Sequence, residues 1–393
     1  MTNQMMTDEA LLARLVAFDT TSALSNLPFA DFVCDYLDKP GVSVTRVESP
    51  DRNKTNLLIS CGPAREDRSG ILLSGHMDVV PANEDGWSGD PFQLRENGDR
   101  LFARGACDMK GFLALAMNRF LSRTTDALKS PLYLLYTYDE EVGTVGAAHF
   151  RKQWNNSGML PAFGVIGEPT KLQPVRMHKG HLKLSVHVSG RSAHSGYPEL
   201  GVNAIEIMGH VITALEQFDH RLRKTPYESA SFYPEAPYCS MNQAIIAGGA
   251  AVNVVPDYCL LELGIRLLPG VNADDLIAEV RAALADLPQA DRIRVETRGV
   301  SPALETSACC RHHRYLVNEL ELSPPGGEAD DYTAAVAFAS DAGVFSQMGM
   351  DCILFGPGDI SVAHRPDEYV PRQDLAAASR VLDRLIHEFC EKE

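Results

Sequence analysis

Residues 71–78 read ILLSGHMD. A short, largely apolar run ends in a histidine and, two positions later, an aspartate. Runs of this kind suit strands buried on both faces of a mostly parallel sheet. Four others share the character: NLLI at 56–59, LYLLYTY at 132–138, FGVIG at 163–167 and CILFG at 352–356. Helical stripes accompany them. Leu11, Leu12, Leu15 and Val16 form one; Phe29, Phe32, Val33, Tyr36 and Leu37 form another, ended by Pro40 and Gly41. Leu113, Met117, Phe120 and Leu121 mark a third at 110–121, and 144–153 a fourth. Strand–helix alternation predicts an α/β layered domain.

The middle of the chain has a different rhythm. Leu182, Leu184, Val186 and Val188 alternate with Lys183, Ser185 and His187, the pattern of a half-exposed antiparallel strand. An amphipathic helix follows through Val202, Ile205, Met208, Ile212, Leu215 and Phe218. Strands near 241–247 and 258–267, a helix near 273–286 and a strand at 292–297 complete a β-α-β-β-α-β order, the ferredoxin-like unit. The expected architecture is an α/β domain at 1–176 and 297–393, its sheet mixed but mostly parallel, with a ferredoxin-like α+β domain inserted at 177–296. SPPGG at 323–327 is the nearest thing to a flexible linker.

Composition narrows the classes. A length of 393 residues favours two or three domains, and 45% hydrophobic against 22% charged residues supports a packed core rather than disorder. The net charge of −16 argues against nucleic acid as a partner, since that binding rests on clustered Lys and Arg. No run approaches the roughly 18 apolar residues of a membrane span. The start, MTNQMMTDEALLARL, lacks the charged and apolar regions of a signal peptide, so a cytoplasmic address is expected. None of the nine cysteines forms a CxxC pair, which leaves no signal for a thiolate zinc site and predicts free thiols.

The polar clusters sit where the apolar runs stop. ILLSG leads to His76 and Asp78, LYLLYTY to Asp139, Glu140 and Glu141, FGVIG to Glu168, and CILFG through a glycine-rich loop to His364. Asp108, in ARGACDMKG, is expected to open a helix over 108–121. In open α/β sheets ligands bind beyond the carboxyl ends of the strands. Each cluster alone is weak, because His-x-Asp and Glu-Glu arise often by chance. Carboxylates converging on one rim, however, raise one another's pKa unless cations offset them. Two histidines with several carboxylates suit zinc or a similar divalent ion. The residues thus predict a metal site and leave open whether it holds one ion or two.

SGHMDVVP (74–81), ARGACDMKGF (103–112), YDEEVG (138–143), GEPT (167–170), GRSAHSGYPELGVNAI (190–205) and FGPGDISVAHRPDEYV (355–370) together resemble the dinuclear-zinc aminoacylase and deacetylase family of metallopeptidases. The resemblance implies two divalent ions, Zn²⁺ or Co²⁺, bridged by Asp108. His76 and Glu168 would complete one set of protein ligands, Glu141 and His364 the other. Asp78 would orient His76 through its other ring nitrogen. Glu140 would be the general base. By the same resemblance the inserted domain is a lid and dimerisation domain: His194 reaches a partner subunit's site to stabilise an oxyanion, and Asn253 and Arg266 hold the substrate carboxylate. The implied assembly is a homodimer.

DMKGF, the MHKGH segment at 177–181 and GPGDISVAHRPDEYV lean toward the branch that deacetylates N-acetylornithine in arginine biosynthesis. The expected reaction removes an acetyl group from the α-nitrogen of a small amino acid such as ornithine. Desuccinylation of succinyl-diaminopimelate and dipeptide hydrolysis are the alternatives within the family. Outside it the alternatives are a catalytically inactive metal-binding protein, against which the presence of Glu140 speaks, and a two-metal phosphoesterase, which would want basic residues around a phosphate and finds no support in the acidic balance. ASDAGVF (339–345) departs from the branch where substrate-selecting residues could sit, and His178 and His181 carry no arguable role.

Overall fold

The computed structural model describes residues 5–154, 159–323, 328–329 and 332–392, so residues 324–327 of the expected linker lie outside the described residues. The chain divides into two compact units: Met1–Arg176 with Thr306–Ala334 and Ser340–Glu393, and Met177–Glu305 with Ala335–Ala339.

In the first unit four adjacent strands run parallel: Leu132–Thr137, Ile71–His76, Phe163–Ile166 and Asp351–Leu354. Thr55–Cys61 and then Val42–Glu48 extend one edge antiparallel, making the sheet mixed with a parallel centre. Every residue of Ile71–His76 and of Phe163–Ile166 is buried, the polar Ser74 and His76 included, in keeping with their largely apolar sequence. Helices Asp8–Val16, Gly111–Leu121 and Arg372–Ile386 supply Leu11, Phe112, Met117 and Leu382 to one core with Leu73, Leu134, Val165 and Ile353. Fully burying such a side chain stabilises by about 1.5–3 kcal/mol. Parallel pairing puts the carboxyl ends of all four central strands on one rim. Gly167, just past one of them, cannot be replaced freely: a Cβ there would lie 1.9 Å from Cγ of Phe112.

One helix start differs from expectation. The helix begins at Gly111, not at Asp108, which is extended at φ −121° and ψ 91°. The backbone N–H groups of Cys107 and Asp108 both donate to Oε1 of Glu368, each at 3.0 Å, and hold the segment in this conformation.

In the second unit the strands Ser240–Gly248, Tyr258–Leu267, Gly180–Ser189 and Ile293–Ser301 lie side by side in that order, all antiparallel. Helices Ala204–Leu222 and Ala273–Ala285 share a core with them, completing the ferredoxin-like arrangement. Gly180–Ser189 is central and buries Ser185 along with its apolar residues. Ser240–Gly248 forms an edge with Ile245 and Ile246 exposed. The strand expected at 292–297 continues to Ser301 through a register slip between Thr297 and Gly299.

All nine cysteines are free, and among them Cys309 alone is exposed. Among the described residues no helix is long and apolar enough to cross a membrane.

Candidate metal centre

His76 closes its strand with a buried ring. Its Nδ1 lies 2.9 Å from the backbone oxygen of Asp78 and 3.7 Å from that residue's Oδ1. The carbonyl can only accept, so Nδ1 carries a proton, while Nε2 points at the Asp108 carboxylate. The orienting group is therefore the main chain of Asp78, where its carboxylate had been expected. That carboxylate instead accepts the backbone N–H of Glu140 at 3.0 Å, that of Glu141 at 3.2 Å and the hydroxyl of Ser22 at 2.7 Å. It fixes the turn that carries the two glutamates.

Asp108 stands between the histidines. Its Oδ1 is 3.0 Å from Nε2 of His76, and its Oδ2 is 3.3 Å from Nε2 of His364. Oε1 of Glu141 lies 3.0 Å from the same His364 nitrogen. Ligand atoms of His76, Asp108 and Glu168 fall within 4.8 Å of one another, and so do those of Asp108, Glu141 and His364. The two groups share Asp108.

Glu140 sits in a tight turn beside them. The preceding residue, Asp139, adopts a left-handed φ of 54° and is held by an ion pair with Lys54. Burial, against the pull of His76 and with Glu168 and Asp341 adding repulsion, pushes the Glu140 carboxyl well above its ordinary range. Burial and Asp108 do the same to Glu168, and burial raises Glu141. Burial also works against the charged form of Asp108, but hydrogen bonds to His364 and His76 outweigh it and lower its pKa. His364 is pushed up to about 10 by its bonds to Asp108 and Glu141. The site thus crowds carboxylates around two imidazoles, and its oxygen and nitrogen donors fit a pair of divalent cations sharing one carboxylate.

Three neighbours lie within segments quoted above, yet the sequence did not single them out. Arg104 and Glu368 form a buried pair behind Asp108, described below. Asp341, in the divergent 339–345 segment, is buried; its Oδ2 accepts from Thr137 at 2.5 Å and its Oδ1 has no hydrogen-bond partner in the structure. Burial pushes it up to about 7. Only contacts from distant segments could have singled these residues out.

The second unit holds the remaining candidates. His194 is exposed, and its Nδ1 accepts the N–H of Gly196 at 3.0 Å. The neutral ring therefore carries its proton on Nε2. The His194 loop joins the Asn253 turn, since Ser195 N–H donates to the Asn253 oxygen at 3.0 Å and His194 bridges to Val254. Arg266 lies on Tyr258–Leu267, opposite His181 on the neighbouring strand. His178 is buried with Nδ1 3.0 Å from the Lys179 oxygen.

Residues 72–388 match the model of peptidase family M20/M25/M40. The chain belongs to this family. It is 34% identical over 378 residues to the acetylornithine deacetylase of Proteus mirabilis, covering 96% of this chain and 94% of that protein. The acetylornithine deacetylase of Yersinia pseudotuberculosis is 35% identical over 381 residues, again covering 96% and 94%. Among solved structures, an M20 family metallo-carboxypeptidase from Sulfolobus solfataricus shares the fold, with a TM-score of 0.74 at 17% identity over 97% of this chain and 99% of that one. The chain is accordingly a dinuclear metal-dependent hydrolase of the M20 type.

Proposed function

We propose that this hydrolase removes the acetyl group from N-acetyl-L-ornithine, releasing ornithine and acetate. The hydrolytic reading rests above all on Asp108, whose two oxygens face His76 and His364 and which shares one ligand group with Glu168 and the other with Glu141. The full-length relatives that carry the acetylornithine deacetylase name support the substrate. Zinc is the proposed metal, and cobalt suits the same donors. His76, Asp108 and Glu168 would hold one ion, and Asp108, Glu141 and His364 the other; bound there, they would polarise the scissile carbonyl and acidify the attacking water.

Glu140 takes the proton from that water onto its carboxylate and delivers it to the departing α-amino nitrogen. Its burial favours this, because a desolvated carboxylate holds a proton more tightly than an exposed one. Asp78 keeps Glu140 on station through its grip on the 140–141 backbone. His194 donates from Nε2 to the developing oxyanion, and it does so in the site of a partner subunit. Asn253 and Arg266 bind the substrate carboxylate, Arg through its two-pronged fork. A homodimer is proposed because the edge strand Ser240–Gly248 offers unpaired backbone and exposed Ile245 and Ile246 to a symmetry mate. A cytoplasmic site of action belongs to the same proposal.

The test is a hydrolysis panel on purified, metal-loaded protein: N-acetylornithine, other N-acetyl amino acids, N-succinyl-diaminopimelate and dipeptides. N-Acetylornithine should give the highest kcat/KM. Preference for the succinyl compound or a dipeptide would move the chain to another branch of the family.

A further inference from the structure

Arg104 and Glu368 are each 1% exposed in their side chains, and Nη1 of the arginine donates to Oε2 of the glutamate at 2.8 Å. Neither residue faces the ligand cluster as a donor, yet both reach the segments that carry it. Oε1 of Glu368 accepts the N–H groups of Cys107 and Asp108. Arg104 Nη1 also approaches the backbone oxygen of Arg365, next to His364, at 3.4 Å. Its Nη2 donates to the oxygen of Pro81, three residues past Asp78, at 3.1 Å, and pairs with Glu84. The guanidinium lies 5.0 Å over the Trp87 ring. One buried cation therefore ties together the loops that follow Asp78, precede Asp108 and follow His364.

A buried ion pair is weak evidence for stability, because apolar side chains of similar volume often serve as well. What this pair provides that apolar residues cannot is direction. Two backbone N–H groups aimed at one carboxylate oxygen fix the main chain at Asp108, which stands extended ahead of the helix that begins at Gly111. In that conformation its carboxylate reaches both histidines. His364 is half exposed at 48% and adopts a left-handed φ of 60°, so its placement depends on how its loop is anchored. Arg104 and Glu368 supply the anchor at Arg365 and Glu368 themselves.

We propose that Arg104 and Glu368 are positioning residues of the metal centre, holding Asp108 and His364 in register so that one carboxylate serves both ions. The inference rests on the ligand assignment above and adds to it two residues that touch neither metal nor substrate. Glu368→Gln would place an amide NH₂ against the guanidinium, and Arg104→Lys would keep the charge but lose the fork that spans three loops.

The test uses the full chain, stripped of metal and titrated with Co²⁺ against a competing chelator. Absorption in the visible region reports coordination geometry, and circular dichroism reports folding. Both variants should remain folded, bind Co²⁺ about 10–100-fold more weakly and show altered cobalt bands, the usual scale for lost partners behind metal ligands. Arg95→Ala removes an ion pair to Asp367 in the same loop and should leave the cobalt spectrum as in wild type. If Glu368→Gln does not fold, Arg104→Lys carries the same expectation. Variants that lose thermal stability yet keep wild-type cobalt affinity and bands would overturn the inference and leave the pair a purely structural one. Wild-type protein that binds no cobalt would overturn the ligand assignment, and this inference with it.

Discussion

His178 offers a stability prediction whose size follows from its surroundings. The ring is fully buried, and burial lowers its pKa from an ordinary 6.5 to about 4 despite the bond to the Lys179 oxygen. The folded state therefore resists a proton that the unfolded chain accepts between those values. A base with a depressed folded pKa contributes stability that is present above about 6.5 and lost as pH falls toward 4. At about 1.4 kcal/mol per unit, the full loss is about 3 kcal/mol, of which about 2 kcal/mol has gone by pH 5. His178→Asn keeps a donor near Nδ1 without the ionisation. Urea unfolding of wild type and variant at pH 7 and pH 5 should show the variant losing about 2 kcal/mol less over that interval. His181 and His312, both pushed to about 4 by burial, act the same way in both proteins and cancel. Parallel declines in the two proteins would refute the reasoning, and His178 would then be charged in the folded state.

Three further outcomes are expected. Glu140→Gln should retain two metal ions by elemental analysis while turnover falls about 10²–10⁴-fold; loss of metal would make Glu140 a ligand instead. His194→Ala should lose about 10²–10³ in turnover with metal content intact. Mixing it with Glu140→Gln and allowing subunit exchange should restore activity toward about a quarter of wild type, because half the dimers then hold one complete site; no recovery would place His194 in its own chain's site. Gly167→Ala should destabilise by about 1–3 kcal/mol or more in chemical denaturation, since its Cβ would overlap the Phe112 ring, and a wild-type midpoint would show that the ring can yield.

The strands that frame the site were legible because burial on both faces leaves a mark in composition. ILLSG and FGVIG could be read as central strands, and the residues just beyond them as a shared rim. Alternation around Leu184 and Ile265 likewise disclosed the second unit's sheet. The conformation of Asp108 was not legible. Local pattern favours continuing the helix back from Gly111, and the main chain at Asp108 is instead held by Glu368, 260 residues away. The roles within Asp78 escaped for a similar reason: spacing brings carboxylate and carbonyl equally close to His76, and only the path of the turn decides between them. Arg104 and Asp341 look like ordinary charged residues in sequence, and their burial is a property of the assembled core.

The distribution of sulfur gives the protein its own set of unfolding reporters. Burial raises the thiol pKa at Cys61, Cys107, Cys239, Cys259, Cys310, Cys352 and Cys390, so these groups are both hidden and poorly nucleophilic in the native state. Cys309, the exposed thiol, is then the one an alkylating reagent meets first. The hidden thiols divide by unit: Cys239 and Cys259 belong to the second, and Cys61, Cys107, Cys310, Cys352 and Cys390 to the first. The order in which they become reactive under denaturant or acid would therefore record which unit opens first, with no label added to the chain.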